Sequence, residues 1–417
     1  MIDLFETKPK PVPITKDMVR VAYRKVQSNK GSAGVDEVSL DKFNENLYKN
    51  LYKIWNRMAS GSYFPEPVKE VIVSKLDGGK RKLGVPTISD RIAQEVVKNY
   101  LEPRFETLFL PQSYGYRPNK SAHQAIEEVR QNVRQYAWVI DMDIKSFFDE
   151  INHELLMKAI DKYVPEKWVK MYIRRWLEAP VQTKDGLVYR DGQGSPQGGV
   201  ISPLLSNLFL HYVLDKWLEK TFPTVKFVRY ADDVIVHCVS EKQSHYVLSK
   251  IKKRLSDCKL RLSEEKTQIT YCQDFRRESR KDYPKKFDFL GYIFKPMTKY
   301  SKQNNSLFLG FDCEMSMKSR TRIINEWKKL NFQRKSNYTL QDLAKILNAK
   351  SRGIINYFGK INGLTLKRLF RHLDYRIAKW AKNKFKKLHS YRRAYAWLRD
   401  IKSGNPCMFV HWSVSKT

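Results

Sequence analysis

Lys226-Phe227-Val228-Arg229-Tyr230-Ala231-Asp232-Asp233-Val234-Ile235-Val236-His237-Cys238-Val239 sets two adjacent carboxylates between two apolar runs. Apolar and β-branched residues on either side of a short polar break read as two strands joined at a tight turn. Asp232 and Asp233 are therefore expected at the tip of a hairpin, where neighbouring carboxylates can hold a hard divalent cation. The plainer alternative is a solvated Asp-Asp turn. A Tyr-x-Asp-Asp match arises from composition in roughly a few of every hundred such chains, so further observations must decide.

Upstream lies Trp138-Val139-Ile140-Asp141-Met142-Asp143-Ile144-Lys145-Ser146-Phe147-Phe148-Asp149. In a strand, period-two alternation puts Asp141 and Asp143 on one face and Ile140, Met142 and Ile144 on the other. Acids on one face of an apolar strand are costly unless they bind a cation or pair with bases. Beside the hairpin, Asp143 and Asp232 could share two metals about 4 Å apart, one activating a hydroxyl and one neutralising a leaving pyrophosphate. Phosphoryl transfer otherwise asks mainly for positioning and electrostatics. Gly194-Ser195-Pro196-Gln197-Gly198-Gly199-Val200-Ile201-Ser202-Pro203 then precedes an apolar helix from Leu204. It reads either as a plain turn or as a loop whose glycines let a nucleotide approach the backbone.

Composition points the same way. The 417 residues carry 78 Lys and Arg against 44 Asp and Glu, a net charge of +34. Such an excess suits a polyanionic partner better than it suits ordinary solubility. Residues 301–417 hold 26 Lys and Arg against 6 Asp and Glu, more than half of that net charge. Within them Leu366, Leu369, Phe370, Leu373, Ile377 and Trp380 form an apolar helical stripe. Lys367, Arg368, Arg371, Arg376, Lys379 and Lys382 are expected mostly off it. The five cysteines show no zinc or redox spacing and read as reduced, mostly buried thiols. Met1 to Pro13 lacks the apolar block of a signal peptide, and no run is long enough to span a bilayer, so a cytoplasmic protein without a membrane partner is expected.

Three regions differ in texture. Residues 1–60 read as helices: Thr15 caps a segment with Met18, Val19, Ala22, Tyr23 and Val26 at helical spacing, and a second helix runs through Phe43, Leu47, Leu51 and Trp55. Residues 61–300 mix helices with strands, including a hairpin of Glu70–Val73 with Arg81–Val85 and strands over Trp138–Ile144, Lys226–Val239 and Phe287–Phe294. Residues 301–417 read as basic helices. The fold class is α+β.

In order along the chain, the Gly34-Val35-Asp36 loop, Lys75–Pro86, Tyr114-Gly115-Tyr116-Arg117-Pro118, Asp143–Asp149, Gln197–Pro203, Tyr230–Asp233, Leu262–Thr267 and Phe289-Leu290-Gly291-Tyr292 resemble the blocks of bacterial group II intron-encoded reverse transcriptases, or maturases. The resemblance covers nearly the whole chain. It implies a right-hand polymerase with a helical N-terminal extension (1–60), fingers and palm (61–300) and a basic thumb or maturase-specific domain (301–417). The implied metal-binding positions are Asp143, Ile144, Asp232 and Asp233, serving two Mg²⁺ ions with Mn²⁺ as a substitute. It selects Asp143 over Asp141, because Asp143 precedes Ile-Lys-Ser-Phe-Phe-Asp. Lys75 and Arg81 are implied to clamp the incoming deoxynucleoside triphosphate, with Gln197 lining its pocket. Phe148 is implied as the aromatic gate beneath the sugar, against the alternative of a core aromatic. Lys266 is implied to protonate pyrophosphate, against that of a surface lysine.

The expected partners are an RNA template, a structured RNA (an intron or another non-coding RNA) and a DNA primer, with Arg368, Arg371, Lys379 and Lys382 as RNA contacts. The resemblance is to a short form, so the DNA-binding and HNH endonuclease domains of the longest relatives are not expected. Three alternatives stay open. One is a short intron maturase, and another a domesticated enzyme copying a dedicated RNA, as in phage defence. The third is a catalytically idle splicing cofactor, which would not need the acids. Phe148 argues against an RNA polymerase, and retron signatures are not found.

Overall fold

In the computed structural model, which describes residues 11–74, 79–361 and 363–415, the Thr15 hydroxyl accepts from the Met18 amide at 3.2 Å and opens α1 (Lys16–Asn29). Val19, Ala22, Tyr23 and Val26 are buried along it, as their spacing predicts. The second expected helix is divided. α2 (Leu40–Glu45) stops at Asn46, whose φ of −124° is not helical, and α3 (Leu47–Ala59) follows. The Asn50 side-chain amide donates to the Phe43 carbonyl at 2.9 Å, satisfying an acceptor near the break.

β1 (Val68–Ser74) and β2 (Lys80–Val85) form the expected hairpin, with Glu70 opposite Gly84 and Val73 opposite Arg81. Then come α4 (Ile88–Glu106), α5 (Ala122–Gln135), β3 (Trp138–Asp143), α6 (Phe147–Glu150), α7 (His153–Asp161) and α8 (Lys167–Glu178). β4 (Val181–Thr183), β5 (Gly186–Val188) and α9 (Ser202–Leu210) follow, and one π turn (His211–Asp215) leads from α9 into α10 (Lys216–Thr221). β6 (Lys226–Tyr230), β7 (Asp233–Cys238), α11 (Glu241–Asp257) and β8 (Gln268–Tyr271) come next. Two four-stranded sheets result, in the orders β2-β1-β4-β5 and β6-β7-β3-β8. In β3, Val139, Ile140 and Met142 are buried while Asp141 and Asp143 are less so, close to the alternation expected.

The chain divides into two compact units, Met1–Ala125 with Ile140–Gln268 and Ile126–Val139 with Ile269–Thr417. The second unit departs from expectation in two places. Phe287–Phe294 is not one strand but β9 (Phe287–Phe289) turning back into β10 (Tyr292–Ser301). Leu290 and Gly291 take φ of 49° and 79° at that turn. The helices also start later than residue 301, because β11 (Ser306–Met315) pairs antiparallel with all of β10. Its length leaves Phe311, Cys313 and Met315 buried.

Asp312 of β11 accepts from Arg130 at 2.7 Å and pairs with Lys299. Burial alone would raise this carboxyl, yet the two cations more than offset it and hold it at about 2. α12 (Met317–Lys329), α13 (Leu340–Phe358), α14 (Gly363–Lys384) and α15 (Tyr391–Gly404) complete the unit, with a Thr339–Asp342 capping box at the start of α13. The apolar stripe of α14 is buried as expected. Arg376 is the exception to its basic face, since it donates to the Gln333 side chain at 2.7 Å and to the Trp327 carbonyl at 3.3 Å. All five cysteines are free thiols, and four are buried. Among the described residues, no helix is long and apolar enough to cross a membrane.

Candidate active site

The β6–β7 hairpin closes through Ala231 and Asp232, with Tyr230 paired to Asp233. Ala231 has a φ of 57°, a left-handed conformation suited to the first position of a two-residue hairpin loop. The tip is held from below by backbone. A Cβ at Gly115 would lie 2.3 Å from the Ala231 nitrogen, so only glycine fits there. The Tyr114 amide donates to the Arg229 carbonyl at 2.8 Å, and the Arg229 amide to the Gln112 carbonyl at 2.9 Å.

Arg229 is the buried support of this arrangement. Its Nε and Nη2 donate to Asp215 at 2.8 and 2.6 Å, and both side chains are 0% exposed. Its Nη1 donates to the Asn207 side-chain oxygen at 2.9 Å and the Ala231 carbonyl at 3.1 Å. Asn207 in turn donates to the Gly115 carbonyl at 2.8 Å. A buried pair survives desolvation only with such bidentate geometry and further hydrogen bonds.

β3 runs beside β7, and Asp143 stands at its end. The Lys266 ammonium lies 3.1 Å from Asp143 Oδ2, and the Asp143 carbonyl accepts from the Ser263 amide at 2.8 Å. The three acids sense one another. Burial raises the Asp232 carboxyl above the usual carboxylate range, Asp143 pushes it the same way, and Arg81 and Lys266 oppose. Asp233 shifts upward for the same reason, crowding by protein first and then the Asp232 and Asp143 charges, although its own side chain reaches solvent. The site thus concentrates negative charge that a cation would relieve. Among the described residues, no three His, Cys, Asp or Glu side chains form a ready-made metal cage. A Mg²⁺ ion held by one or two carboxylates and completed by substrate phosphates needs no such cage.

Arg81 and Gln197 come together: Arg81 Nε donates to Gln197 Oε1 at 2.8 Å. The Gly84 amide donates to the Gln197 carbonyl at 2.7 Å, and a Cβ at Gly198 would lie 2.5 Å from the Gly84 oxygen. β2 and the glycine loop are therefore in backbone contact. Phe148 is buried beside Phe147, with ring centroids 5.5 Å apart, and its carbonyl accepts from the Ser195 amide at 2.7 Å. Ile144 is buried through its side chain, so only its backbone oxygen remains as a donor to an ion. Lys75 lies outside the described residues.

Sequence reasoning missed the Arg229–Asp215–Asn207 support, Gln94, and the part played by Tyr116. Gln94 Oε1 accepts from the Val200 amide at 2.8 Å and fixes the glycine loop. Burial raises the Tyr116 hydroxyl's pKa, the Asp232 charge adds to it, and the ring is 52% exposed. An arginine within an otherwise apolar strand was the available signal for Arg229. In the second unit Arg368, Arg371 and Lys379 are exposed and Lys382 is half-buried.

Residues 73–294 match the reverse transcriptase (RNA-dependent DNA polymerase) family model, and residues 320–397 match the group II intron maturase-specific domain. The group II intron-encoded protein LtrA of Lactococcus lactis subsp. cremoris is 27% identical over 89% of this chain and 73% of its own length. The protein YkfC of Escherichia coli K12 is 31% identical over 61% of this chain and 76% of its own. The uncharacterized 91 kDa protein in the cob intron of Schizosaccharomyces pombe is 30% identical over 59% and 30%.

Proposed function

Because the chain belongs to the reverse transcriptase family, is an RNA-directed DNA polymerase and carries a group II intron maturase-specific domain, we propose that it copies a specific structured RNA by two-metal phosphoryl transfer. The observation that carries the two-metal reading is the placement of Asp143 at the end of β3, beside the β7 strand whose hairpin tip bears Asp232 and Asp233. Asp143, Asp232, Asp233 and the Ile144 carbonyl would hold two Mg²⁺ ions, or Mn²⁺ in their place. Bound there, the ions supply activation of a primer 3′-hydroxyl and neutralisation of the leaving pyrophosphate.

The chain's own groups do the rest. Arg81 offers a forked donor to the triphosphate, with Lys75 as its point-charge companion. Gln197, oriented by Arg81, lines the nucleotide pocket. Phe148 closes the space beneath the sugar, where a 2′-hydroxyl would clash. Lys266, which pairs with Asp143, would give a proton to pyrophosphate. Residues 1–60, 61–300 and 301–417 act as extension, fingers with palm, and thumb. Arg368, Arg371, Lys379 and Lys382 grip RNA phosphates. The buried, reduced thiols suit a cytoplasmic site of action.

Primer extension tests the reading. With Mg²⁺, an RNA template, a DNA primer and deoxynucleotides, the protein should extend the primer, and Phe148→Val should raise ribonucleotide kcat/KM relative to deoxynucleotide. No extension, with the RNA still bound, would leave an idle splicing cofactor. RNA copurified from the native host and sequenced would separate an intron ribozyme from the dedicated template of a domesticated, defence-type enzyme.

A further inference from the structure

The basic face of α14 is not only basic. Arg368, Arg371, Tyr375, Lys379 and Lys382 recur at spacings of three and four, which puts them on one stripe about 21 Å long. Tyr375 interrupts the four cations at the middle. Its ring stacks on Tyr391 of α15, with centroids 4.8 Å apart and planes within 4°. Tyr375 nevertheless remains 49% exposed. One turn along α15 from Tyr391, Tyr395 is 42% exposed. The Lys382 ammonium stands 5.0 Å from the Tyr391 ring centroid.

Packing alone accounts for Tyr391, which is half-buried between the helices. It does not account for an aromatic ring half open to water in the middle of a cationic stripe. Phosphates meet cations, and an unpaired base meets an exposed π-face, so a stripe offering both fits RNA with a base out of its stack better than continuous duplex. We propose that the Tyr375–Tyr391 pair is a stacking platform for an unpaired RNA base, flanked by phosphate contacts at Arg368 and Arg371 on one side and Lys379 and Lys382 on the other. This rests on the RNA-binding reading above and adds to it the class of RNA feature recognised.

The test uses the full chain and two RNA hairpins identical except for one bulged 2-aminopurine nucleotide. The protein should prefer the bulged hairpin and quench its fluorescence on binding. Tyr375→Leu should lower affinity for the bulged hairpin about 5- to 150-fold, the range for one stacked base. Affinity for the continuous hairpin should change less than twofold, and the salt slope should not move. Tyr375→Phe and Tyr375→Trp should keep the preference, because the ring and not the hydroxyl is used. Equal binding of both hairpins without quenching by the unmodified protein overturns the platform, as does a preference that survives Tyr375→Leu. Failure of the unmodified protein to bind either hairpin at low salt would instead overturn the RNA-binding reading itself.

Discussion

The carboxylate hairpin and the basic face of α14 carry charge in opposite ways. Three acids gather at the hairpin tip and the end of β3, and the tip's position is over-determined by Gly115, Arg229, Asn207 and Asp215. On α14 Arg368, Arg371 and Lys379 are exposed and Lys382 is half-buried, and none of the four is tied to a buried network. Desolvated charges interact strongly and singly, whereas solvated ones act in sum and are screened by salt. The first region should therefore fail at one substitution, and the second should weaken by degrees.

The largest expected effect is at the hairpin. Asp143→Ala or Asp232→Ala should lower primer extension by several orders of magnitude while RNA affinity stays nearly constant. Single-turnover extension and a binding titration measure the two quantities, and near-normal extension by either variant would end the two-metal reading. Next comes the support beneath it. Arg229→Met leaves Asp215 buried without its partner and should cost about 3–5 kcal/mol in chemical denaturation. Arg229→Met with Asp215→Leu should recover most of that stability, yet kcat should stay down roughly 100-fold because the Ala231 carbonyl is no longer held. Full recovery of kcat would reduce the pair to a packing device.

On α14 the expected effect is graded. Reversing Arg368, Arg371, Lys379 and Lys382 together should flatten the log K against log salt slope by about 3. Each single reversal should take about a quarter of that, and one residue accounting for the whole change would break the contrast between the regions.

The smallest effect separates two buried acids by pH. Burial raises Asp90 to about 6 despite its hydrogen bonds from Tyr63 and Thr87. A raised folded pKa means a contribution present in full below about pH 4 and lost as pH rises through 6. Asp312, held at about 2, contributes above its unfolded pKa near 4 and loses that contribution as pH falls toward 2. Urea midpoints against pH should therefore flatten between pH 4 and 6 in Asp90→Asn and below pH 4 in Asp312→Asn. Swapped behaviour would refute the assignment.

What could be read from the sequence follows the same divide. Asp232 and Asp233 announce themselves because two apolar runs leave them nowhere but a turn, whereas alternation sets Asp141 and Asp143 together on one face and only the family resemblance chooses Asp143. Their support is hidden for a physical reason: Asp215 precedes Arg229 by 14 residues and reaches it from the end of a π turn, a local change of pitch with no signature in periodicity. β11 was obscured by the basic composition around it, although Phe311, Cys313 and Met315 alternate as a strand should. Arg376 looks like its neighbours in composition, and only the nearby Gln333 and Trp327 draw it inward.

The close approach of Gly115 to Ala231 also bears on how such an enzyme can be altered. Two main chains meet there without an intervening side chain, so that contact offers no residue whose exchange would retune it. Variation aimed at speed, fidelity or template choice is better directed at the surrounding ring of side chains, Tyr116, Phe148 and Gln197, where a library can change the shape of the recess without touching its floor. A saturation library at position 115 should return glycine alone, whereas one at Tyr116 should return many active sequences.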